Sequence, residues 1–119
     1  MGSLTTHVLD TARGRPAAGI EIEVWRIAPD EGGRTRLAIA RANAVGRTDA
    51  PLLAGDDLVV GVYELVFAVG AYFAGQPVAT AEPPFLDRVP VRFGVADAGA
   101  NYHVPLLVSP WAYSTYRGI

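Results

Sequence analysis

Side chains in this sequence alternate with a period of two far more often than they recur with the 3.6-residue period of a helix, and that confines the chain to an all-β fold. From Ile20 the run Ile-Glu-Ile-Glu-Val-Trp puts Ile20, Ile22 and Val24 on one face and Glu21, Glu23 and Trp25 on the other, the pattern of a strand with one wet side. Tyr63, Leu65, Phe67 and Val69 alternate with Glu64, Val66 and Ala68, and Val89, Val91, Phe93 and Val95 alternate with Pro90, Arg92 and Gly94. The same reasoning places strands over residues 5–10, 35–41, 102–108 and 111–117, and a short one over 51–53 makes about eight. Thirteen Gly and nine Pro fall mainly between these runs, where they supply turn chemistry. Many short strands so separated, with no βα rhythm, predict an antiparallel β-sandwich or barrel. One short helix is expected, at 71–75 with its flanks. Pro105 cannot donate to a sheet ladder, so it belongs at an edge or a bulge.

At 119 residues the chain is read as one domain, 1–119, large enough to bury a core without staples. There is no Cys, and all ten basic residues are Arg, which excludes thiolate nucleophiles, lysine Schiff bases and Cys-ligated zinc. His, carboxylate, hydroxyl and Arg chemistry remain. The net charge of −2 and the lack of a basic block argue against a nucleic-acid partner. The longest apolar stretch, 65–74, is about half the ~20 residues of a membrane helix. No basic or hydrophobic leader opens the sequence, so a cytoplasmic location is expected. The charged fraction is 18%. An ordinary soluble domain has roughly 25%, and the shortfall hints that subunits cover part of the surface in an oligomer.

His7 and His103 are the only two histidines, and both lie in expected strands with a Val directly after them. If Val8 and Val104 face the core, the imidazoles face outward. Taken singly, each His is a partly exposed strand residue. Brought together on one face, the pair can hold a water and accept its proton, because an imidazole titrates near neutrality. Arg47 follows Gly46 in a turn, where a solvated loop residue and a planar clamp for paired oxygens have the same spacing. The aromatic C-terminal run from Trp111 to Tyr116 suits either an edge strand in a subunit interface or a wall of a site.

Three stretches carry a family likeness: Leu4-Thr-Thr-His-Val-Leu-Asp-Thr-Ala-Arg-Gly-Arg-Pro16, the turn Gly46-Arg47-Thr48, and Tyr102-His-Val-Pro-Leu-Leu continuing to Tyr-Ser-Thr-Tyr-Arg-Gly118. Together they resemble the 5-hydroxyisourate hydrolases, the enzymatic branch of the transthyretin-related proteins, along the entire chain. The resemblance implies a transthyretin-like sandwich of about eight strands in two sheets with one short helix. It also implies a homotetramer, a dimer of dimers, with sites at the dimer–dimer interface. The implied reaction belongs to urate catabolism: hydrolytic ring opening of 5-hydroxyisourate to 2-oxo-4-hydroxy-4-carboxy-5-ureidoimidazoline, with no metal and no organic cofactor. By the same likeness His7, Arg47 and His103 are catalytic, the imidazoles serving the attacking water, and Arg47 and Tyr116 hold the substrate with His7. Asn101, Ser114, Arg117 and Ile119 are implied as supporting residues.

Two positions depart from the family pattern. Asn101 stands where a His is common, two residues before His103, and cannot exchange a proton. Ile119 replaces the usual Ser after Tyr-Arg-Gly, removing a hydroxyl. The alternative on the same fold is a small-ligand carrier without catalytic activity. A carrier of an apolar ligand has no use for two imidazoles and a guanidinium in one channel, and that polar set separates the readings.

Overall fold

Tyr63, Leu65 and Phe67 are fully buried, and the strand that carries them, β7 (Gly61–Ala68), lies inside a four-stranded antiparallel sheet. Its neighbours are β4 (Glu21–Ile27) and β8 (Arg88–Val95), and β5 (Arg34–Arg41) extends the sheet beyond β4. Every inward position that the alternation assigns on β4, Ile20 included, is at most 1% exposed up to Val24. A bulge between Val24 and Trp25 then shifts the pairing against β5. The described residues are 1–30 and 32–119 of a computed structural model.

The second layer is built from both ends of the chain. β1 (Ser3–Thr5), β2 (Val8–Asp10), β3 (Arg15–Pro16), β6 (Leu53–Ala54), β9 (Asn101–His103), β10 (Leu106–Val108) and β11 (Tyr113–Thr115) form two ladders, β6-β1-β9 and β11-β10-β2-β3. The sequence predicts one strand over 5–10 and one over 102–108. Both are interrupted, at Thr6–His7 and at Val104–Pro105, so each splits into two. The interruptions face each other: Val104 N donates to Thr5 O at 2.9 Å, and Leu106 N donates to His7 O at 2.9 Å. The Thr6 hydroxyl, 1% exposed, donates to Val104 O at 2.7 Å. Pro105 sits in this break, where the missing N–H is not needed, and its carbonyl accepts from the Thr115 hydroxyl at 2.7 Å.

The expected architecture therefore holds, with one correction. β1 pairs with β9, and β2 with β10, in parallel, so this layer is mixed rather than purely antiparallel. A parallel pair needs no βα unit here because the whole of the intervening chain serves as the crossover. The last expected strand, 111–117, contracts to Tyr113–Thr115, and the helix α1 runs Val69–Ala74. Among the described residues no helix is long and apolar enough to cross a membrane.

A buried polar contact ties α1 to the second layer. The Asp10 carboxylate, 1% exposed, accepts from the Tyr72 hydroxyl at 2.7 Å and from Arg13 N at 3.0 Å. Burial and the facing carboxylate push the Tyr72 phenol up to about 12. The outer face of the antiparallel sheet is closed by ion pairs: Glu23 between Arg88 and Arg36, and Glu64 between Arg92 and Arg34. The Trp25 indole N–H, with these arginines, holds Glu23 below the ordinary carboxylate value. Because Phe67 fills the centre between the layers, Phe67→Ala should lower the unfolding free energy by about 3–5 kcal/mol. A denaturant titration showing a loss under about 1 kcal/mol would mean that this core is not packed as described.

Candidate active site

His7 and His103 come together because β1 pairs with β9 in parallel, with Thr5 opposite His103. Val8 and Val104 are buried at 0% and 6%, so both imidazoles face away from the core, as the sequence predicts. The ring of His103 is held on two sides. Its Nδ1 lies 2.9 Å from the Thr5 hydroxyl, and Gly118, which donates its N–H to His103 O at 2.7 Å, packs against the ring. A Cβ on residue 118 would sit 2.5 Å from His103 Cδ2, so only Gly permits this approach.

Arg47 arrives from a turn that Asn43 organises. The Asn43 side-chain oxygen accepts from Val45 N at 3.0 Å and from Arg47 N at 3.2 Å, while its amide donates to Asp49 at 3.0 Å. Gly46 closes the turn at φ +83°, and its carbonyl accepts from Val8 N at 2.8 Å. A Cβ there would meet Val8 O at 2.5 Å and His7 Cδ2 at 3.2 Å, so the turn can lie against β2 and His7 only with Gly. The turn also supplies a partner to the first imidazole: His7 Nε2 lies 2.9 Å from Val45 O. Beside Arg47 is a depression of about 180 Å³ lined by Thr5, Thr6, Arg47, Thr48 and Asp49 among others.

The electrostatics follow from this clustering. Burial, the positive charge of Arg47 and the neighbouring His7 hold His103 below the ordinary imidazole value. These effects favour the uncharged form of the His103 ring. Both imidazoles are oriented by uncharged groups, a carbonyl and a hydroxyl, and not by a carboxylate. Among the described residues, no three His, Asp or Glu side chains are placed to share a metal ion.

The other expected residues are spread around this centre. Tyr116 is 58% exposed, makes no hydrogen bond to either imidazole and borders a separate groove of about 270 Å³ between β8 and β11. The Arg117 guanidinium stacks on Tyr102 at 4.2 Å and donates to Asn101 O at 3.3 Å. Asn101 accepts from the Ser3 hydroxyl at 3.0 Å, two residues from His103 on the same strand face. Ser114 lies exposed on β11 opposite Leu107, and Ile119 is exposed. Sequence reasoning missed Thr5, Asn43 and the Val45 carbonyl. Thr5 had a readable signal, since it lies two residues before His7 and shares its face. A backbone carbonyl leaves none.

A family model described as the HIUase/Transthyretin family matches residues 4–118. A relative from Mesorhizobium japonicum, named 5-hydroxyisourate hydrolase, is 58% identical over 98% of this chain and 92% of its own. Among solved structures, (S)-allantoin synthase superposes with a TM-score of 0.92 at 45% identity, covering 99% of this chain, which spans 44% of that longer one. The 5-hydroxyisourate hydrolase of Klebsiella pneumoniae gives 0.80 at 34% identity with all of both chains covered. Sea bream transthyretin in complex with thyroxine gives 0.87 at 29%, covering 98% of this chain and 95% of that one.

The charge argument is testable without a ligand. In an NMR titration His103 should deprotonate below the ordinary imidazole pKa, and Arg47→Gln should move its midpoint upward, because one of the charges opposing protonation is gone. A midpoint that does not move would place Arg47 too far from His103 to act on it.

Proposed function

The chain belongs to the HIUase/Transthyretin family, and on that premise we propose how it hydrolyses 5-hydroxyisourate, the reaction for which relatives at 50–58% identity are named. It is an enzyme of the hydrolase class. The observation that carries the mechanism is the convergence of His7, Arg47 and His103, with both imidazoles fixed by uncharged partners. In this reading the His pair binds the attacking water and moves its proton. The Arg47 fork, projecting from the rigid Asn43–Gly46 turn, holds the flat, polar substrate and stabilises charge on the attacked carbonyl. Tyr116 contributes to the substrate wall. A general base supplies a factor of roughly 10² to 10⁴, and positioning much of the remainder.

The active unit in this proposal is a homotetramer of single-domain chains, 1–119, a dimer of dimers with sites at the dimer–dimer interface. Three features support it. β8 and β11 end their sheets as edge strands beside one groove walled by Val91, Phe93, Tyr102 and Val104, so a second copy can extend both sheets at once. Trp111, Tyr113 and Tyr116 are exposed on the same C-terminal segment. Arg47 is likewise exposed in one chain, and an opposed dimer would close the site over it. The cytoplasmic location expected from the sequence belongs to the same proposal. A small-ligand carrier shares this fold, but an apolar ligand would leave the second nitrogen of each imidazole and the Arg47 guanidinium unused.

The test generates 5-hydroxyisourate from urate with urate oxidase and follows its ultraviolet decay. The protein at catalytic concentration should accelerate decay above the spontaneous rate. His103→Ala should lower turnover by about 10²–10³-fold and leave the sedimentation coefficient unchanged. Decay at the spontaneous rate would sink the reaction, near-normal activity of His103→Ala would remove that residue from the mechanism, and a stable monomer would undo the interface site.

A further inference from the structure

We infer that the two imidazoles have opposite roles, set by Val45 and Thr5: His7 accepts the proton of the attacking water at Nδ1, and His103 donates from Nε2–H to the oxygen that develops negative charge. This deepens the hydrolysis proposed above and rests on it.

His7 Nε2 bonds a backbone carbonyl, Val45 O, which can only accept. That nitrogen therefore carries a proton, and in the neutral ring the free lone pair is on Nδ1. The Cδ2 edge lies against Gly46, so Nδ1 is on the ring edge turned away from the turn. His103 is held by the other nitrogen: Nδ1 is engaged by Thr5, and Nε2 has no protein partner among the described residues. The Thr5 hydroxyl has no second acceptor among them, so donation to Nδ1 is the direction that uses its proton. That leaves Nε2 as N–H. Burial and the adjacent Arg47 and His7 also make His103 a weaker proton acceptor than an ordinary imidazole. One water has one proton to lose at this step, and a second base would be idle where a neutral donor is useful.

The step balances. The water oxygen bonds to the ring carbonyl carbon, the C=O π pair moves onto oxygen and is received by His103 Nε2–H, and the water proton goes to His7 Nδ1. When the C=O re-forms, the ring C–N bond breaks and the departing nitrogen takes that proton back from His7. Thr5 is a positioning residue, acting through His103.

The experiment is a two-bond proton–nitrogen correlation of the imidazoles in the ¹⁵N-labelled wild-type protein, at a pH where both are neutral. The unprotonated nitrogen should be Nδ1 in both rings; His103 with its lone pair on Nε2, or His7 protonated on Nδ1, overturns the assignment. Thr5→Val should mix the His103 tautomers and lower kcat about tenfold with KM within about twofold, and Thr5→Ser should restore both. Unchanged tautomers and kcat in Thr5→Val would remove Thr5. An inactive wild type with the expected tautomers would fault the reaction alone, and an active one with the opposite tautomer would fault this inference alone.

Discussion

The parallel pairing of the first strands with the ninth and tenth is the constraint on which the site depends. It joins segments about a hundred positions apart in sequence and sets Thr5 beside His103. Both strands break at the same level, and the break is sealed by the Thr6 hydroxyl on Val104 O and by Leu106 N on His7 O. A continuous ladder would leave two parallel rows of side chains standing straight out from the sheet. The paired interruption instead opens room at this level for the Gly46 turn, whose carbonyl takes the Val8 N–H beyond the end of the short β2–β3 pairing. The turn that brings Arg47 is therefore part of the hydrogen bonding that holds the sheet.

That arrangement explains why His103 is held below the ordinary imidazole value. A carboxylate beside a histidine raises its affinity for a proton, and a cation and burial lower it. Here no carboxylate among the described residues bonds either ring: Asp49, beside Arg47, accepts from the Asn43 amide, Asp10 is engaged by Tyr72 and Arg13, and Glu23 and Glu64 are paired with arginines on the opposite sheet. The site face has only a hydroxyl and a carbonyl to orient its rings. These fix geometry without adding charge, which suits the proposed transfer of a proton from a water to an imidazole and back to a ring nitrogen.

The strands were legible in the sequence wherever one face alone is buried, because burial on one side imposes the period of two. Tyr63, Leu65 and Phe67 are the clearest case, and Val8 with Val104 correctly turned both histidines outward. Pro105 marked the right place as irregular, but not the form of the irregularity. The break at Thr6–His7 has no local signature, since its cause is the partner strand with its own break at Pro105. The parallel pairing escaped for the same reason: strand direction is a property of where the chain returns, and alternation is blind to it. Thr5, Asn43 and Val45 act through single hydrogen bonds to groups distant in sequence, and composition and spacing do not report those.

The likeness to a thyroxine-bound transthyretin shows how little of the function resides in the fold. In the proposed mechanism, what separates hydrolysis from carriage is the polar content of one face, and that content comes from few places. His7 and His103 need only the alternation of their strands, whereas Arg47 needs a turn that tolerates φ +83° and no side chain at Gly46. A Cβ there presses on Val8 O and on the His7 ring together, so replacing Gly46 would disturb β2, the His7 ring and the Arg47 turn at once. Asn101 and Ile119 stand outside this coupling: one is bonded to Ser3 and Arg117, and the other is exposed. Departures from the family pattern at those two positions therefore leave the ring-holding contacts of Thr5, Val45 and Gly118 intact.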